Sequence, residues 1–176
     1  VLGLHFSGSH GHSHADKLDL TLYARGHELI PDLGYTHTQY RCFATSTAAH
    51  NTVVVDESNG STGAREVPWD GRLELWEPDG QPAQVVSVNC PRTYPQTQVY
   101  QRTCALVDLP GGGQYVFDLF QVVGGQRHDY LLKGDPRVQQ TLSSALPLAP
   151  SDHSLLGPGV SYQPYPNEGG KATVDG

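Results

Sequence analysis

Alternation of apolar and polar residues, broken at short intervals by Gly and Pro, constrains this chain most. The run KLDLTLYARG puts Leu18, Leu20 and Leu22 on one side of an extended backbone, because side chains two apart on a strand share a face. ARGHELIPDLG follows as a tight turn around Gly26, a short return strand and a stop at Pro31. Such a hairpin carries Asp32 back toward the start of the first strand. STAAHNTVVVD reads as a further strand with His50 near its N-terminal end, and DESNGSTGARE, residues 56–66, as a polar loop. GRLELWEPDG, AQVVSVNC, TQVYQRTCALVDLP and GQYVFDLFQVVGG continue the pattern between PDG, PRTYP and PGGG turns, and RHDYLLKG extends it. The pattern predicts an all-β fold, an antiparallel β-sandwich of roughly eight to ten or more strands. We expect one domain over residues 1–176, with residues 135–176, rich in Pro, Gly and Ser, mostly loop.

Composition narrows the function classes. A length of 176 residues suffices for a real core. The formal net charge of −7 opposes a nucleic-acid partner. No apolar run approaches the length of a membrane span. Cys42, Cys90 and Cys104 fit neither a metal finger nor a disulfide framework. The chain opens at Val1 with the strand-like VLGLHF and shows no signal peptide, so it reads as a piece of a longer protein.

The nine histidines are unevenly spread. His5, His10, His12 and His14 cluster at the start, His27 and His37 flank the hairpin, and His50 opens a strand. If the first strand begins early, His12, His14 and Asp16 share one sheet face. Zn²⁺ takes three or four N, O or S ligands in a tetrahedron. His14, Asp32 and His50, one from each of three separate segments, form the best trio. Plainer readings stand beside it. HFSGSHGHSH also suits a solvated, metal-scavenging stretch, Asp32 in PDLG suits a turn, and His50 suits a satisfied strand end. HGH at 10–12 competes in register with HSH at 12–14, and the following DKL favours the second.

GHSHADKL at 11–18, ARGHELIPDLG at 24–34 and TAAHNTVVVD at 47–56 together resemble the heparinase II/III-like polysaccharide lyases. YQRTCALVDLPGGGQYVFDLFQVVGGQRHDY, residues 100–130, resembles the same family's sheet region. The resemblance implies a β-sandwich that follows an N-terminal α/α toroid. It implies β-elimination on uronic-acid-containing polysaccharides such as heparan sulfate or alginate. It also implies His12 in the catalytic cleft, and His14, Asp32 and His50 as ligands of a mainly structural Zn²⁺. The family's catalytic Tyr, and the Asn or His that neutralises the substrate carboxylate, belong to the toroid. That domain is not in this chain, so its active site alone is expected to be incomplete. The implied partners are an acidic polysaccharide and the toroid of the same protein, and the implied location is periplasmic or secreted in a bacterium.

Several further residues are candidates for substrate contact. Tyr35 and Tyr40 follow the Asp32 turn and suit a cleft wall as well as ordinary strand packing. His128, next to Arg127, suits an acidic sugar or a solvated strand end. Trp69 and Trp76 suit pyranose stacking, and Trp76 in LELWE also suits sheet packing. Asp16 suits orienting a histidine or capping a turn. Arg102, in mid-strand, is expected to pair with a buried carboxylate. Two other functions compete. One is a cupin-like metal-dependent enzyme, which requires a Glu after HxH, where the nearest is Glu28 in the hairpin. The other is a non-catalytic, zinc-stabilised carbohydrate-binding or structural sandwich.

Overall fold

The computed structural model describes residues 1–6, 13–34, 41–61 and 71–149. Among them are strands β1 (Leu2–Leu4), β2 (Leu20–Ala24), β3 (His27–Ile30), β4 (Val53–Val55), β5 (Arg72–Glu77), β6 (Ala83–Asn89), β7 (Thr97–Asp108), β8 (Gln114–Gly124) and β9 (His128–Tyr130). The helical segments among the described residues are one turn, α1 (Arg41–Ala44), and a 3₁₀ turn over Thr47–Ala49. All strand pairs are antiparallel, in sheets ordered β1-β2-β3, β4-β9 and β5-β6-β7-β8. The all-β, antiparallel expectation is borne out. From Leu131 to Ala149 the described chain holds no helix or strand. No helix among the described residues is long and apolar enough to cross a membrane.

The turns follow from local chemistry. Arg25 and Gly26, at φ 52° and 83°, close β2 onto β3 between Ala24 and His27. A two-residue turn with both φ values positive matches the right-handed twist of the strands it joins. Gly111, Gly112 and Gly113, all at positive φ, return β7 into β8, the longest ladder of the fold.

Two expected strand limits move. KLDLTLYARG becomes strand only at Leu20. Leu18 sits at φ 58°, outside any strand conformation, and the Asp19 amide donates to the Asp16 carbonyl at 2.9 Å in a turn. His14 and Asp16 therefore ride on an irregular loop, and the shared sheet face expected for them does not form. In STAAHNTVVVD only Val53–Val55 is strand, because the Thr47–Ala49 turn precedes it. Here side chains replace ladder partners. The Asn51 amide donates to Asp19 Oδ1 at 2.6 Å, and the Asn51 side-chain oxygen accepts the Lys133 amide at 2.6 Å.

The core lies on one face of the β5–β8 sheet. Val88, Cys90, Tyr94 and Tyr100 pack there against Leu18, Val53 and Val55, flanked by Leu4, Phe6, Val86, Phe120 and Val122. Tyr100 is fully buried, and its hydroxyl donates to the Val53 carbonyl at 2.6 Å. On the other face of β8, Tyr115, Phe117, Leu119 and Val123 are each nearly half exposed.

Arg102 ties this sheet to the loops. It is fully buried and grips Asp118 on β8 with two bonds, Nε to Oδ1 at 2.8 Å and Nη2 to Oδ2 at 2.6 Å. Its Nη1 donates to the Leu18 carbonyl at 2.7 Å and to the Asn51 carbonyl. The carboxylate partner of Arg102 is Asp118, which is partly rather than fully buried. The same guanidinium holds the His14 loop and the His50 segment together.

Candidate metal centre

Three loops bring His14, Asp32 and His50 to one point. The His14 loop is pinned where the Ala15 amide donates to the Thr45 carbonyl at 2.9 Å. Asp32 follows β3 and Pro31, and its Oδ1 accepts the Gly34 amide at 2.5 Å, a turn within the PDLG segment. That bond leaves Oδ2 to face the histidines. Asp32 Oδ2 lies 3.5 Å from His50 Nε2 and 3.8 Å from His14 Nδ1, and the two ring nitrogens are 3.1 Å apart. His50 is almost fully buried, whereas the Asp32 side chain is about one-third exposed. Ligand-capable atoms of His14, Asp16, Asp32 and His50 all lie within 4.8 Å of one another.

The backbone sets the His50 tautomer. Its Nδ1 is 2.7 Å from the Ser46 carbonyl, which can only accept, so Nδ1 carries a hydrogen. A neutral His50 then turns a bare lone pair at Nε2 toward the Asp32 carboxylate. That lone pair can take the His14 Nδ1 hydrogen at 3.1 Å, a proton shared with Asp32 or a metal ion.

With a proton there, the groups shift one another. Burial opposes charge on His50, but the Asp32 hydrogen bond, the Asp19 charge and the Ser46 carbonyl outweigh it and raise its pKa above 6.5. The hydrogen bond from His50 holds Asp32 down at about 2. Burial above all drives His14 below 6.5, which keeps its ring neutral and able to coordinate.

The spacing fits zinc. Ligands about 2.0–2.1 Å from a tetrahedral ion stand roughly 3.4 Å from one another. The three observed separations, 3.1, 3.5 and 3.8 Å, bracket that value. The His50 Nδ1–H···O=C bond is also the orienting contact that metal-bound imidazoles use. Lys133 braces the segment further, since its Nζ donates to the carbonyls of Ala48 at 3.0 Å and His50 at 2.7 Å. Burial pulls that ammonium's pKa down to about 8.

The other candidates divide. His12, Tyr35 and Tyr40 lie outside the described residues, as do His10, His37 and Trp69. His128 is not brought to the cluster. It pairs with Val55 at the end of β4 away from His50, and its Nε2 lies 2.8 Å from the Gly124 carbonyl. Trp76 is 60% exposed, more open than sheet packing requires. Glu28, the carboxylate a cupin-like reading would need, pairs with Arg137 Nη2 at 2.5 Å and is not in the donor set. Ser46, Asp19 and Lys133 support the site and were not anticipated. Asp19 sits between two core leucines in KLDL, a slot that alternation assigns to solvent, and Lys133 carries no local signal.

A family model described as heparinase II/III-like, C-terminal, matches residues 3–145. The chain belongs to this family. It is 30% identical over 174 residues to an alginate lyase of Stenotrophomonas maltophilia (strain K279a), which covers 87% of this chain and 23% of that protein. Among solved structures it is similar to a mutant of the heparan sulfate lyase HepC from Pedobacter heparinus. The TM-score is 0.53 at 21% identity, over 67% of this chain and 18% of that one. Another crystal structure of HepC gives 0.50 at 23% identity, over 60% and 16%. These two likenesses concern the fold. This heparinase II/III-like C-terminal segment spans less than a quarter of the length of the alginate lyase it matches.

Proposed function

We propose that this chain is the β-sandwich part of a polysaccharide lyase that cleaves uronic-acid-containing chains by β-elimination. In this reading Zn²⁺ is held by His14, Asp32 and His50. The carrying observation is the convergence of two imidazole nitrogens and a carboxylate oxygen, 3.1–3.8 Å apart, in a chain of this family. Bound there, zinc would supply a cross-link between three loops.

β-Elimination removes the C5 proton of the uronate and expels the 4-linked oxygen, leaving a C4=C5 double bond. Carbanion character at C5 puts negative charge beside a carboxylate, so donors must meet that carboxylate where charge grows. A base must reach the C5 proton and an acid the leaving oxygen. By the family motif, His12 is assigned to the cleft as base or charge-stabilising partner, a role suited to imidazole near neutral pH. His14, two residues on in sequence, would be anchored by the metal. Tyr35 and Tyr40 are assigned to the cleft wall, and His128 to a more distant substrate contact. The partners are an acidic polysaccharide and a helical toroid in the same protein, and the location is periplasmic or secreted.

The test couples metal content to turnover. Elemental analysis of this chain should give one zinc, lost in His14→Ala, Asp32→Ala and His50→Ala. The full-length protein should release unsaturated uronates, read by ultraviolet absorbance, and His12→Ala should abolish that release. Retention on an alginate or heparan sulfate gel without any unsaturated product from the full-length protein would favour the non-catalytic sandwich instead.

A further inference from the structure

We propose that the outer edge of β8 is a homodimer interface, at which the β8 strands of two copies of this chain pair antiparallel about a two-fold axis at Leu119. The inference is independent of the zinc reading above.

The four-stranded sheet has two edges, β5 and β8. An edge strand offers a row of unpaired amides and carbonyls, and single chains defend it by shortness, charge, Pro or a bulge. β5 is defended. Its six residues, RLELWE, include Arg72, Glu74 and Glu77, and its register slips between Leu73 and Leu75. The strands of the two smaller sheets that stand at an edge, β1, β3, β4 and β9, are three or four residues long. β8 has none of these devices. It runs 11 residues, QYVFDLFQVVG, without Lys, Arg or Pro, in unbroken register with β7 from Gln114 to Val123. Its one charge, Asp118, is answered inside the chain by Arg102. Among the described residues no strand pairs with its outer edge.

The strand is its own complement. Pairing Gln114–Gly124 antiparallel with a second copy over its full length puts the axis at the middle residue, Leu119. Tyr115 then faces Val123, Val116 faces Val122, Phe117 faces Gln121, Asp118 faces Phe120, and Leu119 faces Leu119. No like charges meet, and an aromatic side chain opposite a β-branched one is a favourable cross-strand pair. Residues that face each other across strands share a sheet face. The nearly half-exposed Tyr115, Phe117, Leu119 and Val123 of both copies therefore merge into one apolar band. A two-fold contact of this kind closes at two copies, because the defended β5 edge offers no second one.

The same sheet supplies a matched control. Leu75, Ser87, Thr103 and Leu119 stand in one cross-strand row. Leu75 and Leu119 thus share the outer face at opposite edges, and they are 42% and 45% exposed. A contact made by the face as a whole involves both. A contact made by the β8 edge involves Leu119 alone.

The test is sedimentation equilibrium of this chain over a concentration series, with amide hydrogen exchange read at each concentration. Wild type should pass from monomer to dimer and stop there. In the dimer every second amide of β8, those not bonded to β7, should gain protection, while the β5 amides stay as they were. Leu119→Lys sets two like charges face to face at the axis. It should associate about 100-fold more weakly, because a two-fold contact counts each change twice. Leu75→Lys should associate as wild type does. A monomer at every concentration up to about 1 mM overturns the proposal. So does a dimer whose β8 amides exchange as in the monomer, or one that Leu119→Lys leaves intact. A dimer that Leu75→Lys weakens equally overturns it as well, since the sheets would then stack face to face. Protection of the same amides in the monomer also overturns it, because a segment of this chain would then occupy the edge. The exchange pattern is read on wild type, so a poorly folding Leu119→Lys leaves the test decisive.

Discussion

Two buried polar clusters hold the same two segments of this chain and solve opposite charge problems. Arg102 brings its own cation to Asp118, and Leu18, Asn51 and Tyr130 complete its hydrogen bonds. The other cluster gathers two carboxylates and two imidazoles, with no cation among those four groups, and Lys133 braces it through the Ala48 and His50 carbonyls. One is neutralised by the chain itself. The other is neutral only with protons or a metal ion added. Both grip the loop carrying His14 and Asp16 and the segment carrying His50. The difference teaches that the first should be indifferent to chelators and to pH above the carboxylate range, whereas the second should respond to both.

Removing the built-in cation should produce the largest effect. Arg102→Met leaves the partly buried Asp118 without its partner and frees the Leu18 and Asn51 carbonyls. Breaking such a pair costs about 3–5 kcal/mol. Urea unfolding should show that loss with chelator present or absent, and Arg102→Met/Asp118→Leu should recover part of it. A loss that vanishes in chelator would mean that the two clusters are one unit.

Removing the added cation comes next. Zinc at 100 times its dissociation constant should stabilise wild type by about 2.7 kcal/mol. Chelation should remove that increment, and His50→Ala should show no zinc dependence at all. An Arg102-dependent zinc response with His50 absent would erase the distinction between the clusters.

The contrast also explains what could be read in advance. Strand alternation, the Arg25–Gly26 hairpin and the glycine return into β8 depend on neighbours in sequence, so the all-β antiparallel class was legible. Arg102 was legible as half of an ion pair, because a cation in mid-strand between apolar residues must be compensated. The family motif marked His14, Asp32 and His50, which the fold gathers from positions up to 36 residues apart. Asp19, Ser46 and Lys133 escaped notice because they act through contacts with distant backbone, which leaves no periodicity. The early strand start failed at Leu18, whose left-handed backbone buries a leucine without any strand.

A smaller effect, opposite in sign for the two histidines, should appear with pH. In chelated protein, His14 has a folded pKa below 6.5, so the unfolded chain binds more protons between those values and stability rises with pH there. His50 has a folded pKa above 6.5, so its contribution is complete below 6.5 and is lost as pH rises through the folded value. Asp32, held at about 2, adds stability present above 3.8 and lost as pH falls through 2. The summed contribution of these three groups without metal should therefore be largest around pH 6.5. With zinc, protons no longer occupy the site, and stability above pH 6.5 should hold or rise. Equal profiles with and without zinc would count against the metal reading.

The smallest change tests how closed the Arg102 cluster is. The Tyr130 hydroxyl donates to Asp118 Oδ2 and accepts from Arg102 Nη2 at 3.3 Å, while Tyr130 itself is about half exposed. Tyr130→Phe removes one hydrogen-bonding group and leaves the two-bond grip between Arg102 and Asp118 intact. Water can reach the freed carboxylate oxygen from the open side, so the cost should be about 1 kcal/mol or less. Zinc affinity should not change, because Tyr130 lies on the Asp118 side of the guanidinium while the His14 and His50 segments hang from Nη1. A shift in zinc affinity in Tyr130→Phe would mean that strain passes through Arg102 from one cluster to the other. The self-neutralised clamp would then be tuning the metal centre, and the independence of the two clusters would fail at its least perturbed point.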